Sequence, residues 1–363
     1  MANGDRKRQD HARELVDGWL KAAKEGLTVD PESYVEEREV LEQLIPVKAA
    51  GFRGIVLTAI VGKQLDSSYD PATDFYDSSP RTLFEKGIYY ALQEHRVPCG
   101  KSDPLNVAKN AQVIDETWAK GRRPETAAMA AVRYIDLIQS NWGSEDYRTD
   151  LISLFFSRLW QYAEFCMSAD VPLAAFEGTP PVRIAAKLAK FTAEYPEGGA
   201  TPQLVVGTLI SKLREGDANY ANVDGVTESV FGTNTTSKKP ADVWEEMADG
   251  TIGELYEITA KPVDAKRLDD CVEALKAMDL GGKIVTFICR LPQDVVTLAV
   301  ADNTLLHQGA MFQFIDIQEF IRNTFCILPL ERQAAVIEAV DAFVKDTNRK
   351  IEVKNGWGAA FGE

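Results

Sequence analysis

The sequence predicts an α/β protein (α+β in the looser sense), in which a mixed central sheet is flanked by helices and preceded by a largely helical region. Apolar residues at helical spacing dominate the chain up to about residue 195. After that point, alternating segments bounded by turn residues are interspersed with helical ones, which is typical of strands and helices packed around one sheet. The chain has 363 residues, 45% of them hydrophobic, which suits one or two domains with a sizeable core.

The first region, residues 1–195, is expected to be mainly helical. The run Gly51–Val61 is apolar and β-branched, and a buried strand and a buried helix are both consistent with it. No low-complexity linker marks the end of the region. The other segments with helical spacing are residues 10–24, 31–44, 81–96, 127–139, 147–166 and 181–194.

The second region, residues 196–363, is expected to form the sheet. A helix begins at Thr201-Pro202 and ends before Gly216. Asp249-Gly250 is a turn signal between two strand-like segments and predicts a hairpin. The remaining segments predict a helix, a strand, a strand that runs into a helix, and a closing helix. They are residues 263–279, 281–292, 311–321 and 329–346.

Composition argues against several kinds of site. The five cysteines are dispersed without a CxxC pair, which indicates reduced thiols in a cytoplasm rather than structural zinc or disulfides. The three histidines are far apart in the sequence, so a His-based metal site or triad has little material. The N-terminus lacks an apolar signal core, and no apolar run approaches the roughly 20 residues that cross a bilayer. We therefore expect a cytoplasmic protein, no membrane partner, and chemistry carried by carboxylates.

The net charge of −15 argues against a nucleic-acid partner if it is taken alone. DNA-binding proteins usually have a basic surface where the phosphates bind. Net charge, however, governs solubility and long-range steering more than it governs the content of one cleft. The local clustering of basic residues is therefore the more informative test.

Asp242 and the segment Glu257–Lys261 form the candidate site. If this segment is a strand, residues 257, 259 and 261 project from one face, and Asp242 lies beside them on the neighbouring strand of the hairpin. Two carboxylates suit Mg²⁺, and a lysine can offset negative charge during phosphodiester hydrolysis. A half-buried strand with one solvated face gives the same alternation, so the pattern alone favours an ordinary polar surface.

Two longer blocks resemble a known family. The passage TTSKKPADVWEE…GELYEITAKPVDAKRLDDCVEAL resembles the catalytic core of PD-(D/E)XK restriction endonucleases, and most closely the SacI family of type II enzymes. The passage SSPRTLFEKGIYYALQEHRVPCGKSDPLNVAKN resembles the early part of such enzymes. The resemblance covers the segment QLVVGTLISKL moderately and the first 70 residues hardly at all.

This resemblance implies a Mg²⁺-dependent enzyme that makes a double-strand break at a short specific site in double-stranded DNA. A homodimer is expected because most such sites are palindromic, and a two-fold site is read by a two-fold dimer. A cognate DNA methyltransferase is the expected genetic partner. The rival functions are a less specific repair or anti-phage nuclease, and a catalytically inactive DNA-binding protein.

Carried over onto this sequence, the resemblance makes Asp242 and Glu257 metal ligands and Lys261 the catalytic lysine. The sequence departs from the standard motif, which has an acid two residues before the lysine, where this chain has Thr259. We expect Glu257 to reach the metal and the Thr259 hydroxyl to support it through a hydrogen bond. The other acids that could complete the site are Glu228, Glu245 and Glu85.

Basic and hydroxyl residues cluster around both blocks. A Lys-Lys pair alone is usually an exposed turn, but beside a candidate metal site it favours contact with the DNA backbone. Gly100-Lys101-Ser102 lacks the remainder of a P-loop motif, so we interpret it as a loop near DNA. The expected DNA contacts are Lys238, Lys239, Ser237, Lys101, Arg81, Lys266 and Arg267, with Lys109 as a further candidate.

Overall fold

The computed structural model describes residues 3–26, 29, 33–227 and 239–363. These residues divide into two compact units, Met1–Asp170 with Asp346–Arg349, and Val171–Lys345 with Lys350–Glu363. The division lies earlier in the chain than residue 195, where the sequence suggested it. The helix Pro181–Glu194 belongs to the second unit because it packs against another helix of that unit, Ile317–Ile327.

The first unit is built from helices around one apolar core. Its most buried helix is the ambiguous segment at Gly51, which proves to be a helix and not a strand. The predicted segment 81–96 is also helical, although Arg81–Ile88 has the wider π-helical hydrogen bonding. Pro31, where a helix was expected to begin, lies outside the described residues. The helices are α1 (Asn3–Lys24), α2 (Val35–Leu44), α3 (Gly51–Leu65), α4 (Tyr89–Glu94), α5 (Asp103–Ala108), α6 (Glu116–Lys120), α7 (Glu125–Ser140) and α8 (Glu145–Ser168).

The second unit is a mixed sheet flanked by helices, as the sequence predicted. The strands lie in the order β1-β2-β3-β4-β6-β5; β3, β4 and β6 run parallel, and the other neighbouring pairs are antiparallel. The strands are β1 (Tyr220–Asp224), β2 (Val243–Met247), β3 (Ile252–Ile258), β4 (Ile284–Cys289), β5 (Thr304–His307) and β6 (Ala310–Asp316). The helices are α9 (Pro181–Glu194), α10 (Ala200–Arg214), α11 (Ala265–Ala277), α12 (Ile317–Ile327), α13 (Leu330–Val344) and α14 (Ile351–Phe361).

The two faces of the sheet carry different apolar clusters. Ile258 and Ile288 belong to the cluster that includes residues of α9, α10, α12, α13 and α14. Leu255 and Phe287 belong to the cluster on α11. Successive residues of a strand point to opposite faces, so the helices bury both sides of β3 and β4. None of the helices in the described ranges combines the length and apolar character that crossing a bilayer requires.

Candidate functional site

A cleft of about 460 Å³ opens at the carboxyl end of β3, within the second unit. The end of β3, the loop after it and the first turns of α11 supply most of its wall. The cleft is lined by the four residues for which the sequence predicted a catalytic or supporting role, Asp242, Glu257, Thr259 and Lys261, and also by Arg267. The structure therefore brings the predicted site residues together.

Asp242 directly precedes β2 and lies opposite Glu257. The antiparallel register pairs Val243 with Tyr256, so the next pair along is Asp242 with Glu257, and both side chains of such a pair project from the same face. The Ile258 backbone N–H donates to Asp242 Oδ2 at 3.0 Å, which fixes the carboxylate at the strand end. The carboxyl groups of Asp242 and Glu257 are close enough to share a hydrogen bond.

Gly225 holds the backbone of Asp242 in place. It has a φ of +84°, and a Cβ added to it would lie 2.1 Å from the carbonyl oxygen of Asp242. Only glycine therefore fits at this point. The side-chain amide of Gln203, from α10, donates to the Gly225 carbonyl and braces the same turn.

Glu257 is buried on the α11 face of the sheet, with 3% of its surface exposed. It shares that face with Leu255, whereas Ile258 points to the opposite one. A buried carboxylate needs compensating charge or hydrogen bonds. Arg267 provides both, since its Nη2 donates to Glu257 Oε2 at 3.0 Å.

Arg267 bridges three of the site's oxygen groups. Its Nη2 also lies 3.4 Å from Asp242 Oδ2, and its Nη1 donates to Thr259 Oγ1 at 3.0 Å. The arginine is fixed in the first turn of α11 because Asp264 caps that helix by accepting from the Arg267 backbone N–H at 2.9 Å. The sequence predicts Arg267 as a DNA contact, and the structure places its guanidinium against the carboxylates at the wall of the cleft.

The charges of this cluster act on each other's pKa. Burial raises the pKa of Asp242, and the positive charge of Arg267 and the N–H of Ile258 only partly offset that rise. Burial disfavours the charged form of Arg267, but the negative charges of Glu257 and Asp242 outweigh it and raise the pKa of Arg267. The arginine is therefore firmly cationic between the two carboxyl groups.

The strand predicted to run from Glu257 to Lys261 ends earlier, at Ile258. Thr259 still donates its N–H to the Ile288 carbonyl at 3.1 Å, but its hydroxyl accepts from the N–H of Lys261 at 3.0 Å and bends the chain. The prediction of a straight alternating strand through Lys261 is wrong for this reason. The exposed Lys261 side chain reaches the cleft from the loop instead.

The remaining candidates between residues 228 and 266 fall into two groups, those inside and those outside the described residues. Lys239 is close enough to Asp242 for its charge to lower the pKa of that carboxyl group. Lys266 lines the cleft and is exposed, with its Nζ 4.0 Å from Asp270. Lys238 and Ser237, predicted as DNA contacts, and Glu228, considered as a third acid, lie outside the described residues.

Two of the alternative acids have other partners. Glu245 is fully buried, and it accepts from Arg214 Nε at 2.9 Å and from the Tyr256 hydroxyl at 2.9 Å. Glu85 lies in the first unit, where the Ser102 hydroxyl donates to it at 2.7 Å.

The predicted contacts in the first unit occupy separate surfaces. Lys101 Nζ donates to the Tyr90 hydroxyl at 3.3 Å and lies above that ring, 5.4 Å from its centroid. Arg81 and Lys109 line a polar cleft of about 620 Å³, and the described residues that form its wall include no acidic side chain. The two cations share this cleft with the left-handed residue Ser79.

Two carboxylates and a hydroxyl fit a hard divalent cation. Mg²⁺ is commonly held by one or two carboxylates plus water and substrate phosphates, rather than by a complete cage of protein ligands. Within the described ranges, no three His, Cys, Asp or Glu side chains group closely enough to form such a cage. Asp242 and Glu257, with Thr259 beside them, are oxygen donors of the type found in such smaller sites.

Sequence reasoning missed Gln203, Gly225 and the inward role of Arg267. Signals for two of these were present. Asp264 three residues before Arg267 is a helix N-cap pattern, which places the arginine in the first turn beside the preceding strand. Asp224-Gly225 is a turn dipeptide.

No protein-family model matches this chain, and no curated protein matches it.

Proposed function

We propose that this chain is a Mg²⁺-dependent DNA endonuclease with a PD-(D/E)XK-like core in its second unit, and that it acts as a type II restriction enzyme similar to the SacI family. The observation that carries the proposal is the pairing of Asp242 with Glu257 on neighbouring strands, at an open cleft that Lys261 also lines. The sequence resemblance assigns roles to the same three residues.

The chemistry follows from the types of side chain. Mg²⁺, when bound, supplies polarisation of the phosphoryl oxygens and a more acidic bound water. Asp242 and Glu257 would hold it, and Thr259 would keep the loop in place. Lys261 places a positive charge in the cleft, where it offsets the negative charge that develops on the phosphate. A water molecule loses a proton as its oxygen bonds to phosphorus, the bond to the leaving oxygen breaks, and the leaving oxygen takes up a proton.

DNA binding to this acidic protein depends on local cations. Lys239, Lys261 and Lys266 surround the candidate site and can neutralise backbone phosphates. Lys238 and Ser237 immediately precede Lys239 in the sequence. A homodimer remains part of the proposal because a palindromic site is read by a two-fold dimer. A cognate methyltransferase remains part of it as the genetic partner that the resemblance implies.

The second candidate is a catalytically inactive DNA-binding protein. One observation favours it: the guanidinium of Arg267 already forms ion pairs with both carboxylates. A less specific nuclease of the same fold would share all the geometry and would differ in the products it makes.

Digestion of a sequenced plasmid with MgCl₂, followed by mapping of the ends, tests the proposal. We expect discrete fragments from the wild type, and a loss of rate of about a hundredfold or more for Asp242→Ala, Glu257→Ala and Lys261→Ala. DNA binding in CaCl₂ should be largely retained in each variant. Lys276→Ala, at an exposed position in the last turn of α11, is the matched control and should cut normally.

Each alternative result has a clear meaning. A smear in place of discrete bands points to the less specific nuclease. DNA binding without cleavage in Mg²⁺ or Mn²⁺ points to the inactive binding protein. Full activity in Glu257→Ala would show that the second ligand has been assigned to the wrong acid.

A further inference from the structure

The guanidinium of Arg267 occupies the space on which the candidate metal ligands converge. One nitrogen, Nη2, lies 3.0 Å from Glu257 Oε2 and 3.4 Å from Asp242 Oδ2. The other, Nη1, donates to Thr259 Oγ1 at 3.0 Å. The arginine therefore contacts both candidate metal ligands and the Thr259 hydroxyl beside them.

This contact fixes the site in the absence of metal. Two partly or fully buried carboxyl groups side by side repel each other when both are charged, and one of them would otherwise keep its proton. A planar guanidinium can donate to several oxygens at once and holds its charge at any ordinary pH. Arg267 thus compensates negative charge that would otherwise destabilise the pair of carboxylates.

The position of Arg267 nevertheless allows its side chain to move away from the carboxylates. It belongs to the first turn of α11 and lines the cleft, and 29% of its side chain is exposed. The backbone is held separately by the Asp264 cap, so the side chain can turn toward the open cleft while the helix stays in place. In the cleft its charge is available to a phosphate group.

We propose that Arg267 is an exchangeable internal cation, which holds Asp242 and Glu257 together in the metal-free protein and is displaced from them when a divalent cation binds. This inference rests on the metal site of the proposed function. Arginine and metal compete for the same two carboxylates, so the apparent metal affinity is reduced by the free energy needed to move the arginine away.

The test measures the Mn²⁺ affinity of Arg267→Met and of the wild type by titration calorimetry in the absence of DNA. Methionine keeps an apolar stem of similar reach and removes the charge. We expect Arg267→Met to bind Mn²⁺ roughly tenfold tighter than the wild type. We also expect it to melt at a lower temperature in EDTA, and to gain more in Tm from MgCl₂ than the wild type does.

Two further variants keep the test decisive. Arg267→Lys retains a positive charge but is shorter and lacks the planar fork of the guanidinium, so its Mn²⁺ affinity should lie between those of the wild type and Arg267→Met. Arg214→Met is the matched control, because it removes an arginine from the buried Glu245, which does not line the cleft. It should lower Tm in EDTA without changing the Mn²⁺ affinity.

Equal or weaker Mn²⁺ binding by Arg267→Met would overturn the inference, since the arginine would then not compete with the metal. Mn²⁺ binding by neither protein would overturn it as well. Because these measurements contain no DNA, a failure of the wild type to cut any DNA would remove the nuclease function and leave the competition result standing.

Discussion

At the scale of single residues, the candidate site depends on one glycine that performs no chemistry. Gly225 has a left-handed backbone and packs against the carbonyl of Asp242. The carboxylate of Asp242 accepts from the Ile258 N–H, while the backbone carbonyl of the same residue lies against Gly225. The geometry of the site is therefore set partly by the absence of a side chain.

Gly225→Ala tests this dependence, with Gly250→Ala as its matched control. Gly250 also has a positive φ of +81°, but a Cβ added there would meet nothing within 4 Å, so its substitution costs only the backbone strain of about 1–2 kcal/mol. Gly225→Ala adds the overlap with Asp242, a further cost of about 1–3 kcal/mol. Urea unfolding should show the difference, and Gly225→Ala alone should lose cleavage. Equal losses of stability would contradict the packing role.

At the scale of secondary-structure elements, α11 links the sheet to the cleft. Its apolar side shares one cluster with the sheet, in which Leu268 of the helix joins Phe287 of β4, and its first turn delivers Arg267 to the carboxylates. Asp264 stabilises the helix and positions Arg267 at the same time, because it caps the helix through the backbone N–H of Arg267 itself.

Asp264→Ala should lower the free energy of unfolding by about 1 kcal/mol, because a helix loses its cap. It should also lower the cleavage rate, because Arg267 is less firmly positioned. Asp115→Ala is the matched control, since Asp115 caps α6 in the first unit by accepting from the Trp118 N–H at 2.8 Å. It should show a similar change in urea unfolding and normal cleavage; a cleavage defect of equal size in both variants would contradict the positioning role of Asp264.

The elements show what sequence could and could not predict. The β2–β3 hairpin was predictable because the Asp249-Gly250 turn is a local signal. The edge strand β1 was missed because its sequence, YANVD, is polar and lacks a clear alternation. Gly51–Val61 was ambiguous because it is buried on nearly every side, which removes the periodicity that separates helix from strand.

The candidate site was also predictable from the sequence only in part. The pairing of Asp242 with Glu257 was predictable from the hairpin and the side-chain alternation. The direction of the Arg267 side chain was not predictable, since a basic residue on a helix usually faces solvent. Its inward direction depends on the carboxylate of Glu257 on the neighbouring strand. Lys261 was expected on the strand, but the Thr259 hydroxyl ends the alternation before it.

At the scale of the whole molecule, the net charge of −15 means that the proposed binding of DNA would depend on a few local cations. Arg81 and Lys109 line one polar cleft of the first unit, whose described wall offers them no carboxylate. Each phosphate contact contributes counterion release, so it can be counted from the salt dependence of binding.

Arg81→Gln should weaken DNA binding about equally for all sequences, and it should reduce the slope of log K against log salt by about 1. Fluorescence anisotropy at several NaCl concentrations in CaCl₂ measures this slope. Lys190→Gln is the control, because Lys190 is exposed and its Nζ lies 3.8 Å from Glu194 Oε1, and it should leave the slope unchanged. An unchanged slope in Arg81→Gln would remove this cleft from the DNA-binding surface.

The β2–β3 hairpin has a consequence for how the chain tolerates changes in length. It carries buried charge on both faces, with Glu257 on the α11 face and Glu245 on the other. If a residue is inserted into or deleted from either strand, every side chain beyond that point moves to the opposite face of the sheet. The carboxylates of Glu245 and Glu257 would then point into apolar surroundings. The exposed turn at Asp249 and Gly250 has no such constraint. A short peptide label is therefore best introduced there, where it extends the loop and leaves both strands in register.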